Sequence, residues 1–141
     1  MKALTVEAER ENMQKVQDFV KEELEQDPEV SRTELLKIHM VIDEIFGNIV
    51  SYAYEDGAGD VVIMVDYDKA QGMVSLSFTD EGKPYNPLLK EDPDVTLSAK
   101  ERSAGGLGIF MVKNTMDEID YENKDGKNIL TMKKKIGGSY A

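Results

Sequence analysis

Residues whose types and spacing could do chemistry fall in three places. Glu44 and Asn48 stand four apart in a helical stripe, which stacks both side chains on one helix face. A carboxylate there suits general-base work, and the amide offers an oxygen to a hard cation such as Mg²⁺. Gly47 beside them is unfavourable in mid-helix relative to alanine and suggests that something comes close; the plain alternative is a solvated helix face. In the second place, Val74, Leu76 and Phe78 share one parity of an alternating run, and Asp80 falls next on it. A carboxylate on the buried parity needs a donor. Asp80 either caps a turn ahead of Gly82 and Pro84, or accepts from a ligand donor such as an exocyclic amine, with Gly82 letting the ligand approach the backbone. In the third place, Arg102, Ser103, Ala104, Gly105, Gly106, Leu107 and Gly108 lead into an apolar helix. Helix starts attract anions through free N–H groups and the dipole, though a glycine cluster alone fits a flexible loop equally well. Lys100 and Arg102 place positive charge beside these glycines in an otherwise acidic chain.

That acidity narrows the function classes. With 28 acidic and 17 basic residues the 141-residue chain carries a net charge of -11, unsuited to sequence-independent nucleic-acid binding or to an anionic membrane surface. The absence of cysteine removes thiolate nucleophiles, disulfides and zinc-thiolate sites, and the single His39 rules out a multi-histidine metal centre. No apolar run is long enough to span a bilayer and the first residues lack a signal core, so a cytoplasmic location is expected.

The elements that position these residues can be read from periodicity. We expect a short strand over 4–8, a charged helix over 9–26 stopped by Asp27-Pro28, and a second helix through about 54. Ser31 and Glu34 form a capping box for that second helix, whose stripe is Leu35, Ile38, Ile42, Ile45 and Ile49. Residues 61–67 are apolar on both parities, as in a strand covered on both faces, and pair in a hairpin with 74–80. Residues 85–104 lose periodicity and form a long functional loop or lid. A helix to about 116 follows, then strands over 118–122 and 128–136 joined through Asp125-Gly126, and a frayed tail over 137–141. The fold class is α+β: a two-layer α/β sandwich in one domain over 1–141, with helices on one face of a mixed, mostly antiparallel sheet.

Taken in order, Glu44-Ile-Phe-Gly-Asn48 with Tyr52 and Tyr54, Asp80-Glu-Gly82-Lys-Pro84, a lid, and Gly105-Gly-Leu-Gly108 before Met116-Asp117 form a specific set. The set resembles the GHKL ATPase superfamily, with its Bergerat-type ATP-binding fold, and within it the bacterial anti-sigma factor serine-protein kinases. The resemblance spans nearly the whole chain. It implies that Asn48 holds Mg²⁺ against the triphosphate of ATP, that Asp80 accepts from the adenine amine, and that Gly82 leaves room for the base. It further implies phosphate contacts from Gly105, Gly106, Leu107 and Gly108, a lid contact from Lys100 or Arg102, and Glu44 as general base toward a protein Ser or Thr. Tyr52 stands where many relatives carry His, and Gly47 where Thr or Ala is commoner; neither change removes a required group. His39 is followed by Met40 rather than an acid, which does not suit a phosphoacceptor histidine. The implied function is an anti-sigma regulatory factor that binds a sigma factor and phosphorylates an anti-sigma antagonist. The competing expectations are a nucleotide-gated module that sequesters a partner without chemistry, and an α+β domain with no nucleotide. Exposed apolar residues on the first helix or the hairpins would serve a homodimer or a sigma-factor surface.

Overall fold

The computed structural model describes residues 1–54, 59–89 and 106–137. Strand β1 (Lys2–Glu7) leads into helices α1 (Met13–Leu24) and α2 (Arg32–Tyr52), then strands β2 (Asp60–Asp68) and β3 (Met73–Asp80). Helix α3 (Gly106–Thr115) and strands β4 (Glu118–Lys124) and β5 (Lys127–Lys135) complete it. The strands make one sheet in the order β1-β2-β3-β5-β4. The expected mostly antiparallel sheet is present, and among the described residues every ladder is antiparallel. The topology explains this: two helices carry the chain away and back between β1 and β2, and α3 with β4 does the same between β3 and β5.

The helices lie on one face, with α2 packed between α1 and α3. Val16, Val20 and Leu24 of α1, Ile38, Ile42, Ile45 and Phe46 of α2, and Ile109 and Val112 of α3 are buried against Val61, Ile63, Leu76, Phe78, Leu130 and Met132 of the sheet. Burial of this apolar surface is the main force holding the two layers together. The expected burial of 61–67 on both faces does not hold. Val61, Ile63 and Val65 are buried, whereas Val62 and Met64 point to the other face and are only half-buried, because no described element covers it.

Local signals decide the joints. The first helix begins with a 3-10 turn over Arg10–Asn12, so regular α1 starts later than 9 and ends ahead of Asp27-Pro28. Ser31 Oγ accepts the Glu34 N–H at 3.1 Å, half of the expected capping box. The other half is absent because the Glu34 carboxylate turns to Lys134 at 3.1 Å and Lys37 at 3.5 Å. Asp125 and Gly126, with φ of 54° and 78°, close the β4–β5 hairpin in the doubly left-handed conformation that Asp-Gly favours. Gly137 is no part of a frayed tail: it is buried, and its N–H donates to the Gly72 carbonyl at 3.1 Å. Of the expected lid, only 85–89 fall among the described residues, with a 3-10 turn at Pro87–Leu89. The large exposed apolar side chains among the described residues are Met1, Leu36, Tyr52, Leu89 and Met111, none of them on α1 or in a hairpin. No helix among them is long and apolar enough to cross a membrane.

Candidate functional site

The antiparallel order brings four pieces to one end of the sandwich: the C-terminal half of α2, the end of β3, the start of α3 and the β4–β5 turn. Between the pieces from α2, β3 and the β4–β5 hairpin lies a small cleft, partly open to solvent. Ile45, Asn48 and Ile49 line it from α2, Phe78 and Asp80 from β3, and Asn128 and Leu130 from β5. Such a mostly apolar cleft with a few converging polar groups suits a small planar ligand. Tyr52 and Tyr85 sit at its side with ring centroids 6.3 Å apart.

Asp80 keeps the buried parity, at 6% exposure, and makes the turn of the plainer reading. Its Oδ1 accepts the Gly82 N–H at 2.9 Å, which makes the turn, and an Nδ2–H of Asn128 at 2.9 Å. Among the described residues no donor reaches Oδ2. The loop after Asp80 is fixed to the end of α2 from two sides. Lys83 N–H donates to the Ala53 carbonyl at 2.9 Å, and Glu81 N–H donates to the Tyr54 hydroxyl at 2.8 Å. That hydroxyl in turn donates to the Asp60 carbonyl at 2.7 Å. Burial raises the Tyr54 phenol above its ordinary pKa, reinforced by the negative charges of Asp80, Glu81 and Asp60 against the opposing Glu81 N–H.

Gly82 has a structural reason beyond room for a ligand. A Cβ there would stand 2.2 Å from the Ala53 carbonyl oxygen, so the close approach is to the helix backbone. Gly108, in the first turn of α3, lies against Glu44: a Cβ would stand 1.8 Å from Oε2 of that carboxylate. The Glu44 carboxylate thus lies next to the helix start. At Gly47 a Cβ would meet no described atom within 4 Å, so the close contact anticipated there is not made by the described protein. Gly106 and Leu107 open α3, whereas Lys100, Arg102 and Gly105 lie outside the described residues.

Asn128 was not among the expected site residues, yet it is central. It is buried and pairs directly with Asp80 across β3 and β5. The signal was available: Asn128 interrupts the parity of Leu130 and Met132 just as Asp80 interrupts that of Leu76 and Phe78.

The fit to a nucleotide with Mg²⁺ can be judged from these groups. A buried carboxylate with a spare oxygen suits an exocyclic amine, and the start of α3, which lies against Glu44 on α2, suits phosphate. Mg²⁺ in nucleotide sites keeps water and phosphate ligands and needs few protein oxygens, so a single cleft-lining amide such as Asn48 is a sufficient donor. The donor set fits.

Comparison with known proteins agrees with this geometry. Residues 6–134 match the sequence model of the histidine kinase-like ATPase domain. The serine/threonine-protein kinase BtrW of Bordetella bronchiseptica is 31% identical over 90 residues, 64% of this chain and 63% of that protein. An anti-sigma F factor of a Thermoanaerobacter species is 25% identical over 106 residues, 75% of this chain and 73% of that protein. The serine-protein kinase RsbW of Bacillus thuringiensis is 24% identical over 98 residues, 67% of this chain and 60% of that protein. The alignments thus take in somewhat less than two thirds of the length of the two kinases. Among solved structures, the RsbU and RsbW domains of a Mycobacterium tuberculosis protein superpose with a TM-score of 0.61 at 17% identity, over 99% of this chain and 34% of that one. The catalytic domain of the histidine kinase ThkA superposes with a TM-score of 0.50 at 16% identity, over 99% of this chain and all of that one. Cleft, chain order and matched family coincide, and the chain belongs to the histidine kinase-like ATPase domain family.

Proposed function

We propose that this chain is an ATP-binding anti-sigma regulatory factor with protein serine/threonine kinase activity toward an anti-sigma antagonist. The observation that carries the reading is the placement of Glu44 against Gly108 at the start of α3, one helical turn from Asn48, which lines the same cleft as Asp80. Asp80 receives the adenine amine on its spare oxygen. Asn48 holds Mg²⁺, which when bound neutralises charge on the triphosphate. Gly106, Leu107 and Gly108 meet the phosphates with the backbone N–H groups of a helix start. Lys100 or Arg102, from a lid over 85–104, completes the charge around the terminal phosphate. Glu44 orients the substrate Ser or Thr hydroxyl and takes its proton as that oxygen bonds to the γ-phosphorus; the bond from phosphorus to the bridging oxygen breaks and ADP leaves with it. The sigma factor is a protein partner on the strength of a relative's name, anti-sigma F factor, and the antagonist follows from the resemblance to anti-sigma factor kinases.

The test is phosphoryl transfer from Mg-ATP to a candidate antagonist, with ATP binding measured in parallel. Glu44→Ala should lower transfer by about 10²- to 10⁴-fold while ATP still binds, and Asp80→Asn should weaken ATP binding by about tenfold or more. A chain that binds ATP, transfers nothing and controls its partner equally well with Glu44→Ala would instead be a nucleotide-gated binding module.

A further inference from the structure

We infer that the β4–β5 hairpin carries a positioning relay, Tyr121 and Asn123 to Asn128 to Asp80, that makes the cleft selective for a ring bearing an exocyclic amine. The inference rests on the nucleotide reading above and adds to it the source of base selectivity.

Register places the relay before any side chain is considered. Asn128 lies directly opposite Asp80 on one side and Asn123 on the other, and Tyr121 is two residues along β4 on the same face. Asn128 spends its whole hydrogen-bonding capacity inside this row. Its Nδ2 donates to Asp80 Oδ1 at 2.9 Å and to the Lys83 carbonyl at 3.0 Å. Its Oδ1 accepts from the Tyr121 hydroxyl and from Asn123 Nδ2, the latter at 3.0 Å. A flipped amide would set a carbonyl oxygen against the Asp80 carboxylate and the Lys83 carbonyl, and set its NH₂ against the NH₂ of Asn123. The neighbours therefore admit one orientation.

The consequence falls on Asp80. With the Gly82 and Asn128 N–H groups both on Oδ1, that oxygen is committed to the protein and the carboxylate plane is set. Oδ2 is left as the acceptor at the cleft, and an acceptor there rewards an N–H on the ligand ring and penalises a ring without one. Asn128 has no donor or acceptor left for the base, so it acts through Asp80 as a positioning residue. Tyr121 acts one step further back.

The experiment compares ATP with purine riboside triphosphate, which lacks only the exocyclic amine, by isothermal titration in the presence of Mg²⁺. The unaltered chain should bind ATP about ten- to a hundredfold more tightly than the amine-free analogue. Asn128→Ala should bring that ratio to within about threefold of unity, and Tyr121→Phe, which keeps the ring, should reduce it about three- to tenfold. Should Asn128→Ala fail to fold, Tyr121→Phe decides on the same ratio. A purely structural role predicts equal weakening of both nucleotides with the ratio unchanged, and that result overturns the relay. If the unaltered chain binds both nucleotides equally, the relay falls together with the Asp80 contact to the amine while nucleotide binding stands; if it binds neither, the nucleotide reading falls as well.

Discussion

Two glycines at the site answer to different neighbours, and substitution should separate them. At Gly82 the obstacle is the Ala53 carbonyl, part of the α2 backbone that also receives the Lys83 N–H. Backbone on both sides leaves nothing free to give way, so Gly82→Ala should destabilise the fold by about 1–3 kcal/mol, read from a denaturant midpoint. At Gly108 the obstacle is the end of the Glu44 side chain, which can rotate away. Gly108→Ala should therefore change stability by less than about 1 kcal/mol, while the displaced carboxylate lowers phosphoryl transfer about tenfold or more. Equal losses of stability in the two variants would mean that Glu44 is as fixed as a backbone carbonyl. These contacts mark a limit of what the sequence discloses. The odd parity of Asp80 and the shared helix face of Glu44 and Asn48 were legible in the sequence. Which atom each glycine makes way for was not, because it depends on how β3, α2 and α3 converge in space.

Away from the site, the connections between elements are held by a second buried carboxylate. Asp27 follows α1, and its Oδ1 accepts the Glu29 N–H at 2.9 Å while its Oδ2 accepts the Tyr67 hydroxyl of β2 at 2.5 Å. Gly137, just past β5, passes so close that a Cβ would stand 2.4 Å from the Tyr67 hydroxyl. The Tyr67 hydroxyl, then the Glu29 N–H, hold the Asp27 carboxyl below the ordinary aspartate value of 3.8. A depressed folded-state pKa means that the bound carboxylate stabilises the fold above the unfolded value and that this contribution is lost as pH falls through the folded value. Asp27→Asn should accordingly melt below the unaltered chain at pH 7, and the gap should close as the pH drops below about 4. A gap constant from pH 7 to 3 would assign the effect to packing rather than to charge. Secondary elements were legible nearly to their ends, since capping by Ser31, Asp27-Pro28 and Asp125-Gly126 are local signals. What failed was non-local: Gly137 looked like a tail because its tie is to Gly72, and Glu34 looked like a capping-box partner because Lys134 is a hundred residues away.

For the whole molecule, the net charge of -11 is the dominant long-range influence. Acidic side chains gather rather than disperse. Glu9 has its pKa raised by a hydrogen bond that its protonated carboxyl donates to the Glu11 carboxylate and by the charges of Glu7 and Glu11, and Glu118, Asp120 and Glu122 alternate along the exposed side of β4. The opposing ion pairs, such as Lys21 with Glu25 at 3.6 Å and the N-terminus with Asp66 at 3.6 Å, are solvated and contribute little each. Self-repulsion in the compact state thus outweighs surface pairing, and unfolding relieves it by spreading the charge. Raising NaCl from about 0.01 to 0.1 M shortens the screening length from about 30 to 10 Å, enough to decouple acidic groups on separate elements without reaching contact pairs. The melting temperature of the chain without nucleotide should therefore rise over that range, as followed by circular dichroism at pH 7. The Asp27→Asn variant should rise in parallel, because the Asp27 pairing with Tyr67 is short-range and buried. A melting temperature that falls with salt would reverse the ordering, with attraction between the surface ion pairs outweighing the repulsion among acidic groups.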